Sequence, residues 1–245
     1  MRMGSRVDRR LGLVVAGALC GVCIGASLGF GQFRRGLRQA QLASPADFDG
    51  GVQLCRLVYR NGPMGDGGGW GVDYPRADEN LSIRLSELTK APVSMDRARN
   101  PRHLLVRLTA PELFHCPVLL MSEPGAALFD TSESRALHDY LLKGGFLWVD
   151  DFWGDYAWAN WEQQLRKALP ADQFRITEVP LEHTLFHTVL PVKRLPQIPS
   201  INFWVGSGGR TSERGPRSAT PHARAVADPA GRMIVLMTFN TDFGD

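Results

Sequence analysis

The apolar positions of this chain fall into short continuous runs and longer runs with helical spacing. The continuous runs predict strands over residues 52–59, 103–108, 117–123, 146–151, 174–180 and 233–240. The helical spacing predicts helices over residues 79–89, 130–145 and 158–169. Strands that are buried on both faces of a sheet read as continuous apolar runs. The pattern therefore predicts an α/β domain with a doubly wound, mostly parallel sheet.

Polar residues at the ends of these runs support the helix assignments. Asp130 and Glu133 fit a capping box at the start of the second helix, and Gly144 suits a left-handed cap after its last turn. Asp78 is placed to cap the first helix.

The chain divides into a leader (1–31), a polar linker (32–51) and the α/β domain (52–245). Within the domain, residues 62–71 and 206–232 are rich in glycine and are predicted to be loops. The chain stops just after its last predicted strand, with no helix to cover that strand. The domain is therefore expected to be incomplete at its C-terminus.

The leader contains 21 consecutive residues without a charge, over positions 11–31, with arginines on both sides. About 20 apolar residues span a bilayer, whereas the apolar part of a signal peptide is usually shorter, roughly 7 to 15 residues. The segment predicts an N-terminal hydrophobic helix that is either a membrane anchor or a cleaved signal peptide. In both cases the protein is expected in the cell envelope, exported to the periplasm or held in the inner membrane with the domain outside.

Glycine recurs at every fourth position of that segment, at Gly17, Gly21, Gly25 and Gly29. On a helix this spacing forms a smooth face that lets a second helix approach closely, from another copy or from another envelope protein. The alternative is the ordinary glycine and alanine content of signal segments.

Composition does not favour nucleic acid as a partner. The net charge is only +3, and the basic residues concentrate near the N-terminus, with seven arginines in the first 38 positions. Cys55 and Cys116 each lie beside a predicted strand. An oxidising compartment permits a disulfide between them, but the sequence does not bring them together, and buried free thiols are expected.

Carboxylates and an amide follow two of the predicted strands. Asp150 and Asp151 end the stretch "GGFLWVDD", and Asn240 and Asp242 lie in "FNTDFGD". Ligands of open α/β sheets bind at the carboxyl ends of strands, so these residues are candidates for ligand binding, and the aspartate pair for catalysis. The alternative is that they cap the loops and helices that follow.

Two histidines suggest that a divalent metal could join this edge. His183 and His187 are four residues apart and would share one face of a helix. Together with Asp151 they would suit zinc, manganese or iron, and a metal-dependent hydrolase would be the matching chemistry. No other cofactor is indicated.

A second candidate surface lies in "WGVDYPRADENL", where aromatic, acidic, basic and amide side chains are interleaved. Such a mixture can bind a sugar or a peptide. The ligand-binding candidates here are Trp70, Tyr74, Arg76, Asp78 and Asn80. Alternatively, Arg76 pairs with a neighbouring aspartate and holds the loop in place.

Five stretches of the chain together resemble a known family. They are "WGVDYPRADENLSIRLSELT", "PVLLMSEPG", "LHDYLLKGGFLWVDDFWG", "EHTLFH" and "MTFNTDFGD". In this order they resemble the bacterial family called domain of unknown function 4159, over roughly residues 52–245. The resemblance implies a flavodoxin-like sheet related to class I glutamine amidotransferases, in an exported or membrane-anchored protein.

Under this resemblance, Gly144 and Gly145 precede the strand and Asp150 and Asp151 occupy the turn that carries the amidotransferase cysteine. Because that cysteine is absent, glutaminase activity is not expected. The sequence therefore favours a non-catalytic module that binds a ligand or partner, with the metal-dependent hydrolase as the alternative.

Overall fold

A seven-stranded sheet with interleaved helices organises the residues that the computed structural model describes, which are residues 42–244. The predicted leader and its glycine face lie outside them. The elements of the chain are β1 (Leu54–Leu57), β2 (Arg60–Asn61), α1 (Arg76–Leu88), β3 (His103–Val106), β4 (Val118–Ser122), β5 (Ala127–Leu128), α2 (Thr131–Leu142), β6 (Phe146–Asp150), α3 (Gly154–Ala168), β7 (Ile176–Glu178), α4 (Ile201–Gly206), β8 (His222–Ala227) and β9 (Met233–Phe239).

The strands follow the order β3-β1-β4-β6-β9-β8-β7. The first five are parallel to one another, whereas β8 is antiparallel to both β9 and β7. The fold is therefore α/β with a mixed, mostly parallel sheet. Strands β2 and β5 form a separate antiparallel pair that the sequence pattern did not predict.

The antiparallel edge corrects the prediction of a loop over residues 206–232. Strand β8 lies within that range and joins β9 through a tight turn, in which the Gly231 N–H donates to the Asp228 carbonyl. So short a connection can only return the chain antiparallel. Ala223 and Ala225 are buried, while His222 and Arg224, which alternate with them, are partly exposed. This alternation belongs to a strand with one buried face.

The helix ends agree with the sequence in one case and differ in another. Asp130 and Glu133 form the predicted capping box of α2, and Gly144 has the predicted left-handed backbone, with φ of 113°. The prediction that Asp78 caps the first helix is wrong. That helix begins at Arg76, and Asp78 lies inside it.

The second half of the predicted linker packs on the domain, since the Ala43 N–H donates to the Leu105 carbonyl at 2.8 Å. No helix among the described residues combines the length and the apolar character needed to cross a membrane.

Cys55 and Cys116 form a disulfide, which corrects the expectation of two free thiols. Strand β1 lies beside β4 in the sheet, with Cys55 opposite Leu119. Cys116 comes two residues before β4, so the two Cα atoms are 5.9 Å apart, within the usual range for a disulfide. Because the sheet, its core and this bond lie within the described residues, residues 42–245 are expected to fold as a unit.

We expect reduction of this disulfide to lower the free energy of unfolding by about 4 kcal/mol, because it closes a loop with a sequence separation of 61 residues. Urea unfolding of residues 42–245 with and without reductant measures the change. A variant with both cysteines changed to alanine should match the reduced protein and ignore the reductant. Equal midpoints for the oxidised and reduced wild type would contradict the bond.

Candidate active or binding site

Three neighbouring strands of the parallel sheet end in the same unusual way. Strands β4, β6 and β9 are each followed by a residue with a left-handed backbone, Glu123, Asp151 and Asn240, with φ of 45°, 56° and 60°. A positive φ is uncommon outside glycine, and such residues cluster at functional sites. All three residues lie at the carboxyl edge of the sheet, where ligands of α/β folds bind.

A fourth left-handed residue, Asp73, comes from the loop before α1 and has φ of 59°. Arg56 on β1 holds this loop, since its Nη1 donates to the Trp70 and Val72 carbonyls at 3.0 Å each. Arg56 also forms a buried ion pair with Asp78, with Nη2 2.7 Å from Oδ2. The guanidinium thus fixes both the loop and α1 on the sheet.

Asp73, Asp151 and Asp242 converge at this edge. One carboxylate oxygen of each lies within 4.8 Å of the others. Oxygen ligands of one Ca²⁺ lie about 2.3–2.6 Å from the ion, so two of them can be roughly 5 Å apart. Among the described residues, these three form the group of acidic, histidine or cysteine side chains that could hold a metal ion. Asp151 and Asp242 are buried, and Asp73 is half-buried.

Asp151 is the central member of this cluster. Its Oδ1 accepts a hydrogen bond from the Trp153 indole at 2.9 Å, and among the described residues this is the hydrogen bond its carboxylate receives. Burial raises the pKa of Asp151 well above its ordinary value, and the neighbouring Asp242 and Glu123 raise it further. A cation in the cluster would reverse this effect, because it favours the ionised carboxylate.

Asp150, the other half of the aspartate pair, serves the architecture of the site. Its Oδ2 accepts hydrogen bonds from the Phe243 and Gly244 N–H groups at 2.7 and 2.9 Å, and its Oδ1 accepts from the Thr238 hydroxyl. Burial raises the pKa of Asp150 to about 7, although these hydrogen bonds lower it. Asp150 thereby fixes the segment that carries Asp242.

Asn240 also has a positioning role. Its Oδ1 accepts from the Gly154 N–H at 2.9 Å, and its Nδ2 donates to the Thr220 carbonyl at 2.8 Å. The side chain links the end of β9 to the start of α3. Asp242 is anchored by its backbone, whose N–H donates to the Ile198 carbonyl at 3.0 Å.

Glu123 borders the cluster and binds the glycine-rich loop through its carboxylate. Its Oε2 accepts from the Gly69 N–H at 2.7 Å. Burial raises the pKa of Glu123 to about 7, the loop N–H groups lower it, and Asp73 raises it. The carboxyl is thus poised to gain or lose a proton near neutral pH.

The two candidate histidines are not members of the carboxylate cluster. His183 precedes a short 3₁₀ turn (Thr184–His187), and its Nδ1 accepts from the Leu185 N–H at 3.1 Å. The Nε2 of His187 lies 2.8 Å from the Leu181 carbonyl. Both side chains are exposed and are engaged within their own segment.

The second candidate surface divides into framework and exposed residues. Asp78 is fully buried in its ion pair, and Tyr74 lies 3.1 Å from the His103 ring through its hydroxyl. Trp70 packs against the main core and the Tyr74 ring. Arg76 is exposed and pairs with Glu79 at 3.5 Å. Asn80 is exposed and lines a cavity of about 410 Å³ beside Phe243 and Gly244.

Sequence reasoning missed the roles of Asp73 and Glu123. Asp73 lies in the "WGVDYPRADENL" stretch, but its proximity to the strand ends depends on Arg56, which is distant in sequence. Glu123 directly follows a predicted strand that neighbours β6, and this position was the available signal.

Comparison with known proteins gives one finding and one absence. The model of the family described as "Domain of unknown function (DUF4159)" matches residues 53–245. No curated protein matches the chain.

We expect the metal-free domain to lose stability as the pH rises from about 4 to about 7. Glu123 and Asp150 have pKa values raised to about 7 in the folded protein, whereas unfolded carboxyls titrate near pH 4. The folded state therefore binds more protons across this range, and its free energy of unfolding falls as they are lost. Urea unfolding of residues 42–245 at several pH values, with a chelator present, measures the trend.

The change Asp151→Asn should stabilise the same metal-free domain at pH 8, because burial and the neighbouring carboxylates disfavour ionisation of Asp151, whereas asparagine does not ionise and keeps the acceptor for Trp153. A gain of about 1 kcal/mol would raise the melting temperature by about 2–4 °C. Asp172→Asn, at an exposed position away from the cluster, is the matched control and should change little. A less stable Asp151→Asn protein at pH 8 would contradict the electrostatic description.

Proposed function

The chain belongs to the DUF4159 family, whose description assigns no function, and we propose that its domain is a ligand-binding module with a divalent-cation site at Asp73, Asp151 and Asp242. The observation that carries this proposal is the approach of three carboxylates, from three separate segments, to within 4.8 Å. Carboxylate oxygens are hard ligands, which suit Mg²⁺, Ca²⁺ or Mn²⁺.

Electrostatics supports a cationic occupant. Without a cation, Asp151 ionises at the cost of burial and of repulsion from Asp242 and Glu123. The surrounding framework, which includes Asp150, Asn240 and Arg56, fixes the segments that carry the three ligands. A rigid framework that brings like charges together is expected where a cation completes the structure.

We further propose that the domain descends from an amidotransferase-like fold and has lost that chemistry. Asp151 has a left-handed backbone between β6 and α3, as does the nucleophile in a strand-to-helix elbow. An aspartate there cannot replace a cysteine thiolate in glutaminase chemistry. A bound ligand would approach the edge formed by residues 70–80 and the strand-end carboxylates.

The proposed location is the cell envelope, with residues 11–31 as a membrane anchor or an export signal. The disulfide between Cys55 and Cys116 supports an oxidising compartment, because such bonds are rare in the cytosol. The glycine spacing of that segment keeps self-association, or association with another envelope protein, as a proposal.

We expect isothermal titration of residues 42–245 with Mg²⁺, Mn²⁺ or Ca²⁺ to show one bound ion per chain for at least one of these metals. Asp73→Asn, Asp151→Asn and Asp242→Asn should each weaken binding by about tenfold or more, because even an outer partner of a metal ligand contributes 10–100-fold. The bound ion should raise the melting temperature of the wild type and have little effect on Asp151→Asn.

Asp172→Asn controls for the loss of one negative charge and should bind like the wild type. His183→Ala with His187→Ala tests the alternative ligand set and should also bind normally. Failure of all three metals to bind the folded wild type, or binding that survives all three cluster substitutions, would overturn the cation site.

One observation favours a second candidate function, a metal-dependent hydrolase. The Glu123 carboxyl has a pKa of about 7 and borders the cluster, which suits a residue that takes a proton from water. If this function holds, Glu123→Gln should reduce hydrolysis of a generic ester or amide substrate by about 100-fold or more and leave cation binding intact. Equal activity of the Glu123→Gln and wild-type proteins would reject this role, and absence of activity in both would favour the binding module.

A further inference from the structure

The short helix α4 exposes its apolar face to solvent. Ile201, Trp204 and Val205 are 65%, 48% and 66% exposed, and their spacing places them on one side of the helix. None of the residues of α4 is buried. The helix is held at its start, where the Ser200 hydroxyl accepts from the Phe203 N–H and the Ser200 N–H donates to Glu213. An apolar face fixed in an exposed position is typical of an interaction site.

The segment around α4 has a distinctive charge pattern. It belongs to the long connection between β7 and β8, and no aspartate or glutamate occurs from residue 183 to residue 212. Lys193, Arg194 and Arg210 lie within this stretch and are exposed. The acidic residue at its end, Glu213, is half-buried and accepts the Ser200 N–H. The segment that carries α4 is therefore cationic, which favours an anionic occupant.

We propose that this segment docks on an anionic lipid bilayer, through the apolar face of α4 (Ile201, Trp204 and Val205) and the cations Lys193, Arg194 and Arg210 of the same connection. A tryptophan among aliphatic side chains suits the boundary between headgroups and acyl chains, and nearby lysine and arginine attract anionic headgroups. A second copy fits less well, because a twofold interface would place the same cations against one another.

The sequence places a membrane within reach of the domain. Residues 11–31 have the length and apolar character of a membrane span, and the described domain begins at residue 42. If residues 11–31 remain in the bilayer, the intervening residues keep the domain close to it, and a weak surface contact then acts at a high local concentration. The argument for docking does not rest on the proposed cation site.

Co-sedimentation of residues 42–245 with lipid vesicles tests the proposal, after a cooperative thermal melt has confirmed that the segment is folded. We expect binding to vesicles of phosphatidylcholine mixed with phosphatidylglycerol and much weaker binding to phosphatidylcholine alone. Ile201→Ser with Val205→Ser should reduce binding about tenfold, because two apolar side chains no longer enter the bilayer. Lys193→Gln with Arg194→Gln should reduce it by at least about fivefold.

Matched controls are Leu88→Ser, which removes an apolar side chain of similar exposure from α1, and Arg97→Gln, which removes an exposed cation elsewhere. Both should bind like the wild type. The proposal is overturned if folded wild type binds neither kind of vesicle, or if the paired serine substitutions leave binding unchanged. It is also overturned if light scattering shows a dimer that those serine substitutions dissociate, since the surface would then join two copies.

Discussion

The buried ion pair between Arg56 and Asp78 is the constraint on which the rest of this structure depends. Arg56 projects from β1, an interior strand of the sheet, and is about 1% exposed, so its charge requires a partner inside the protein. Asp78 supplies that partner from α1, and the remaining guanidinium hydrogens bind the carbonyls of Trp70 and Val72. Buried ion pairs contribute little net stability, but removal of one partner costs about 3–5 kcal/mol. The pair therefore specifies where α1 and the preceding loop lie, and through them where Asp73 lies.

The neighbouring aspartates Asp150 and Asp151 show how local backbone geometry separates two identical side chains. Successive residues of a strand point to opposite sides. Asp150 is the last residue of β6 and binds the N–H groups of Phe243 and Gly244, while the left-handed turn at Asp151 directs it towards Asp73 and Asp242. The Asp150 carboxylate accepts hydrogen bonds from the protein, whereas the Asp151 carboxylate faces other carboxylates. This division is the basis for the proposal that Asp151, rather than Asp150, binds a cation.

The sequence predicted the elements better than it predicted the site. Continuous apolar runs identified the parallel strands, because burial on both faces leaves an unmistakable pattern. Strand β8 was not predicted because arginine and histidine occupy its exposed face and its buried positions are mostly alanine. Of the candidate cation ligands, Asp151 and Asp242 were already candidates from the sequence because they lie just after strands. Asp73 could not be placed at the strand ends, since its position depends on the distant Arg56. The disulfide partner of Cys55 likewise depended on the order of the strands, which the apolar pattern does not contain.

The disulfide and a cation bound at the three aspartates would cross-link overlapping parts of the chain. Cys55 and Cys116 enclose Asp73, whereas Asp151 and Asp242 lie outside that ring. A cation bound to all three aspartates would therefore close a second ring, which shares residues 73–116 with the first. The disulfide limits the movement of the segment that carries Asp73. A bound cation would in addition attach this segment to the sheet. Release of the ion would then permit local opening of the segment while the disulfide kept it within reach for rebinding.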